Sequence, residues 1–150
     1  SCNAKVCHVD ASKKSVSWAA ENAELNNLQN APIRWIVEDA MKFMQREIRR
    51  GVLYDGIILD PPTFGKGAKG EIFKIEKDIG PLLALCKQLL SPKALFLVFT
   101  CHTPGFTPCC MKYLLQEMFP DPSKIEAGEM LIEGKQTFAL PSGVYARWSP

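Results

Sequence analysis

The residues from Tyr54 to Glu71, YDGIILDPPTFGKGAKGE, run an apolar segment into an acid, two prolines, an aromatic and a glycine- and lysine-rich loop. Proline cannot donate to a sheet ladder, so a strand ending at Asp60 must stop there. Asp60 can accept a hydrogen bond from an amino group. Pro61 and Pro62 stiffen the backbone and leave its carbonyls as rigid acceptors, and Phe64 offers a flat face on which an unstacked base can lie. A tight turn with Phe64 in the core is the plainer reading of the same letters. Lys66 and Lys69 follow as point charges suited to phosphate, or as part of a solvated loop.

Three further acids close apolar segments: Asp10 after AKVCHV, and Glu38 with Asp39 after IRWIV. In open α/β sheets ligands bind beyond the carboxyl ends of the strands, and an acid there can hold the ribose hydroxyls of a nucleotide-like molecule. The competing role is helix capping, which suits DAS and EDA. Cys101 stands just past another apolar run, ALFLVFT, followed by His102. A thiolate there would serve as a nucleophile, and a small strand-end filler is the alternative. Cys101, His102, Cys109 and Cys110 do not match zinc-ligand spacing, because adjacent residues on a helix point about 100° apart. No metal site is expected.

The elements that must position these residues alternate. Strands are expected over 4–10, 33–39, 54–60 and 94–100. Helices are expected over 12–28 with Ser12 as cap, 39–51 with Gly51 as stop, 73–91 around Pro81, and 108–119. The continuous apolar strands suit a parallel sheet covered on both faces. The tail, IEAGEMLIE and GVYARWS, reads as an antiparallel hairpin. Trp18 and Trp35 read as helix–sheet packing. A single domain spanning 1–150 follows.

Composition narrows the class. The chain has 150 residues, 47% of them hydrophobic and 23% charged, as in an ordinary globular domain. A net charge of +2 is too small to name a partner. No apolar run is long enough for a transmembrane helix, and the first residues lack the pattern of a signal peptide. The six cysteines have no disulfide-framework spacing and read mostly as buried thiols of a reducing compartment.

These motifs together resemble the class I S-adenosylmethionine-dependent methyltransferases, in particular ribosomal RNA large-subunit methyltransferases with an Asp-Pro-Pro-[Lys/Thr]-Phe signature. VDASKKSVSWAAENAELNNL, WIVEDAMKFM and YDGIILDPPTFGKG carry the resemblance, with ALPSGVYARWS as the last strand. It implies a Rossmann-like α/β sheet, mostly parallel, with a C-terminal antiparallel hairpin. It implies that Asp10 holds the cofactor ribose and Asp39 its adenine amino group, that Ala11, Ala40 and Asp60 also bind the cofactor, and that Asp60, Pro61, Pro62 and Phe64 border the methyl-transfer site. Cys101 would be the nucleophile if the target were cytosine C5, and a guanine nitrogen would need none. Lys66 and Lys69 would meet RNA phosphates.

The resemblance also implies S-adenosyl-L-methionine as cofactor, RNA (most simply ribosomal) as partner, and an intracellular site of action in the cytoplasm or an organelle. The fold's first strand and glycine-rich turn have no counterpart here, which implies weak cofactor binding by these residues alone. Two other readings stay open. One is a methyltransferase-like domain that binds RNA without catalysis; the other is a dinucleotide-binding dehydrogenase fragment, in which the Asp-Pro-Pro block would have no task.

Overall fold

A computed structural model describes residues 4–67, 70–135 and 138–150. The alternation is present: β1 (Val6–Asp10), α1 (Lys13–Leu25), β2 (Ile33–Val37), α2 (Ala40–Arg49) and β3 (Gly56–Leu59). Then come β4 (Phe64–Lys66), β5 (Ile72–Lys74), α3 (Ile75–Leu89), β6 (Phe96–Cys101) and α4 (Pro108–Gln116). A short 3₁₀ turn (Pro122–Lys124) leads into β7 (Ile125–Ile132) and β8 (Leu140–Trp148). The β4–β5 hairpin is a correction: the glycine-rich stretch after Pro62 was expected as loop, and part of it pairs Phe64 with Lys74 and Lys66 with Ile72.

The strands fall into separate sheets. β1 and β2 pair in parallel, and β3, β6, β8 and β7 lie in that order in a second sheet. Within it β3 and β6 are parallel, while β8 runs antiparallel to both β6 and β7, so the tail hairpin is as expected. The result is an α/β fold with a parallel core and antiparallel strands at its carboxyl end.

Local chemistry explains the boundaries. Ser12 caps α1 by accepting the N–H of Ser15 at 3.2 Å, and Asn27 leaves the helix at φ +58°. Asp39 caps α2, and Gly51 stops it at φ +66°, a region open to glycine at little cost. Gly56 has a packing reason instead, since a Cβ there would stand 2.5 Å from the Phe96 ring. Pro81 sits inside α3 without ending it.

The core gathers on α2, α3, α4 and the second sheet, around Leu82, Leu89, Leu97, Phe99, Met111 and Leu115. Neither β1 nor β2 contains a fully buried residue. Trp18 departs from its expected packing role: it is 69% exposed, because α1 turns Val16 toward the protein and Trp18 away. Trp35 packs against His8 with ring centroids 5.3 Å apart, and Trp148 stacks on Phe119 at 4.0 Å.

Candidate active site

The ends of β1, β2 and β3 bring Asp10, Asp39 and Asp60 to one cavity of about 710 Å³. That size lies in the range of small-molecule and cofactor pockets. Ala11, Ala40, Pro61, Pro62 and Lys66 line it as well. The adjacent acid, Glu38, is spent elsewhere in an ion pair with Arg46 at 2.5 Å.

Each of the three carboxylates commits one oxygen to the scaffold. Asp10 Oδ1 accepts the N–H of Ser12 at 2.6 Å, and Asp39 Oδ1 accepts the N–H of Lys42 at 2.9 Å. Asp60 Oδ1 accepts the Thr100 hydroxyl at 2.7 Å, with His102 Nε2 at 3.8 Å. Among the described residues no hydrogen bond is made to the second oxygen, Oδ2, of any of them. Helix capping and a place in the cavity lining therefore coexist: a hydrogen bond orients each carboxylate through one oxygen, and the residue borders the cavity. Three carboxyl acceptors at separate strand ends suit a molecule with several hydroxyl and amino donors, which is the chemistry of a nucleoside.

The Asp-Pro-Pro segment is held from two sides. Thr100 binds the Asp60 carboxylate and also lies 3.4 Å from the Leu59 carbonyl. The hydroxyls of Thr63 and Thr103 share a hydrogen bond of 2.8 Å, tying the segment to the loop after β6. Pro61 is buried while Asp60 and Pro62 are exposed. The ledge is thus rigid underneath and open above. Glu71, a lining residue just before β5, pairs with Lys42 on α2.

The remaining expected site residues are placed as follows. Phe64 stands on β4, 56% exposed, and does not line the cavity. Lys69 lies outside the described residues. Cys101 is 1% exposed on the core side of β6 and also does not line the cavity; its sulfur accepts the N–H of Thr103 at 3.4 Å. Cys109 is exposed and Cys110 half-buried. Thr63, Thr100, Thr103 and Phe73 were not singled out from the sequence. For Thr100 a signal existed: in a strand whose Leu97, Phe99 and Cys101 face inward, the intervening Thr100 must face the other way.

Under the cavity, α2 and α3 supply Phe43, Met44, Leu82, Cys86 and Leu89. Burial pushes the Cys86 thiol up to about 12. Desolvation also raises the Cys7 thiol, and it raises the Tyr54 hydroxyl, which donates to the buried Glu47 at 2.9 Å.

No protein-family model matches the chain. Among curated proteins it is similar to the ribosomal RNA large subunit methyltransferase K/L of Pseudoalteromonas translucida, 34% identical over 99 residues. That match spans 65% of this chain and 14% of the relative. The large subunit methyltransferase I of Tolumonas auensis is 32% identical over 97 residues, covering 65% of this chain and 24% of the relative. A solved SAM-dependent methyltransferase from Agrobacterium tumefaciens superposes with a TM-score of 0.89 at 42% identity, over 98% of this chain and 49% of that one. The chain therefore spans a quarter or less of these two curated relatives and about half of the solved one. It resembles the class I S-adenosylmethionine-dependent methyltransferases, within the group of ribosomal RNA large-subunit enzymes, and has their α/β fold.

Proposed function

We propose that this chain carries the acid-lined half of an S-adenosylmethionine pocket and the base-facing ledge of an RNA methyltransferase acting on large-subunit ribosomal RNA. The observation that carries this is the convergence of Asp10, Asp39 and Asp60, with Pro61 and Pro62, on one cavity. The free Oδ2 atoms fit the donor pattern of the cofactor's nucleoside. Asp10 accepts from ribose hydroxyls and Asp39 from the adenine amino group. When bound, the cofactor supplies a methyl group on a sulfonium that is already electrophilic.

The protein's remaining work is alignment. Asp60, oriented by Thr100, accepts a hydrogen bond from the amino group of the target base, and the stiff carbonyls of Asp60 and Pro61 hold the base edge in place. Lys66 at the rim meets backbone phosphate. Phe64, on the exposed hairpin, serves a neighbouring base by stacking rather than walling the cavity. The buried sulfur of Cys101 favours a nitrogen target, because attack on a pyrimidine ring carbon requires a thiolate that reaches the base.

The test is transfer of labelled methyl groups to deproteinised large-subunit ribosomal RNA at millimolar cofactor. Asp60→Asn is expected to lower the rate about 100-fold. Asp10→Ala is expected to weaken cofactor binding about 10- to 100-fold, the loss of a charge-assisted hydrogen bond. Labelling unaffected by Asp60→Asn, or confined to protein, defeats the proposal. RNA binding with cofactor bound but no transfer supports instead the reading of a non-catalytic RNA-binding domain.

A further inference from the structure

Asp60 and His102 follow the ends of the parallel strands β3 and β6, and both line the cavity. His102 Nε2 lies 3.8 Å from Asp60 Oδ1. That separation is too long for a hydrogen bond between them, and it leaves room for a shared donor. A nitrogen about 2.9 Å from both atoms sees them about 80° apart, so each N–H of one planar amino group points within about 20° of its acceptor. Asp60 Oδ1 already accepts from the Thr100 hydroxyl, and a carboxylate oxygen has a second lone pair for such a donor.

The imidazole has a seat built for it. A Cβ on Gly143 of β8 would stand 2.8 Å from His102 Nδ1 and 2.8 Å from the Cys101 carbonyl oxygen, so the glycine leaves the space that this edge of the ring occupies. Gly143 has φ +107°, a conformation strained for other residues. With Nδ1 against β8, Nε2 is the nitrogen that faces Asp60. Among the described residues neither ring nitrogen makes a hydrogen bond. The side chain is 56% exposed, so a proton on it has a direct path to water.

We propose that His102 is a catalytic residue, the proton acceptor of methyl transfer, and that with Asp60 it forms a two-acceptor clasp selecting an exocyclic amino group of the base. This rests on the reading of the chain as an RNA methyltransferase. The amino nitrogen gives its lone pair to the new N–C bond, and the C–S bonding pair goes to sulfur, which becomes neutral. The nitrogen then carries one proton too many. His102 Nε2 takes it and releases it to solvent, a task suited to imidazole near neutral pH. A ring nitrogen such as guanine N7 has no hydrogen to give and would meet two acceptors without a donor. The clasp thus discriminates by repulsion as well as by attraction.

The experiment measures labelled methyl transfer to deproteinised large-subunit ribosomal RNA by the unsubstituted protein, His102→Gln and His102→Ala, and identifies the methylated nucleoside after digestion. Glutamine accepts a hydrogen bond but takes up no proton. His102→Gln is expected to keep the KM for RNA within about threefold while kcat falls about 100-fold. Added imidazole is expected to raise the rate of His102→Ala at least about tenfold. The nucleoside from the unsubstituted protein, which needs no variant, is expected to carry its methyl on an exocyclic nitrogen. A kcat for His102→Gln within about threefold of the unsubstituted value overturns the proposal. So does a loss in His102→Ala that imidazole leaves unrestored, or a methyl group on a ring nitrogen or ring carbon. Those results leave the methyltransferase reading standing, whereas no labelling of RNA by the unsubstituted protein defeats both.

Discussion

The two sheets that flank the cavity are built to different standards. β6 alternates half-buried and fully buried residues, with Leu97 and Phe99 at 0% exposure in the core cluster that includes residues of α3 and α4. β1 and β2 hold residues that are at best half-buried, on a two-stranded ribbon. A two-stranded ribbon is marginal unless something packs on it. Yet this weaker half supplies two of the three strand-end aspartates at the cavity. Tight packing and the cavity's aspartates are therefore concentrated in different places, and the cavity is lined from both sheets.

Four measurements break or sharpen that contrast. Phe99→Ala in the well-packed half is expected to cost about 3–5 kcal/mol in chemical denaturation, enough to unfold much of the protein. A cost under about 1 kcal/mol would mean that the second sheet is no better packed than the first. Alkaline pH gives the next effect. The unfolded Cys86 thiol ionises near its ordinary value of 9.0, while burial holds the folded one protonated to about 12. The native state then binds more protons between those limits, so stability falls by about 1.4 kcal/mol per pH unit from this group. Tyr54 and Cys7, both raised, add slope of the same sign. Urea titrations from pH 8 to 10.5 should show the decline, and Cys86→Ala should flatten part of it whatever its cost at neutral pH.

In the weaker half the effects shrink. Asp39→Ala removes the cap of α2 and should cost about 1 kcal/mol, while also emptying one acceptor position in the cavity. Trp18→Ser should change stability by less than about 0.5 kcal/mol, because the indole is exposed. A larger loss at Trp18 would show that α1 and the first sheet are more tightly covered than their exposure indicates.

The strand and helix order was legible because the apolar runs are long and their stops are chemical: Ser12, Asp39, Gly51 and the two prolines. The convergence of Asp10, Asp39 and Asp60 was legible for the same reason, since acids at the carboxyl ends of parallel strands share one edge of a sheet. The β4–β5 hairpin was hidden because strands of three residues leave almost no period to read, and glycine and lysine argue for loop. Cys101 was read by its distance from the strand end rather than by parity; with Leu97 and Phe99 inward, a period of two puts its sulfur in the core. Glu47 escaped because a glutamate on an amphipathic helix is ordinarily assigned to solvent, and only the assembled fold gives it partners.

Glu47 also joins parts of the fold that carry different tasks. It is 1% exposed on α2, accepts from Tyr54 ahead of β3 and from Arg50 just past the end of its own helix, and faces Arg34 of β2 at 3.7 Å. One carboxylate thus ties α2 to β2 and to the segment entering β3, at the end of those strands away from the three aspartates. Removing that carboxylate is expected to loosen the joint between the first and second sheets while leaving the three aspartates in place.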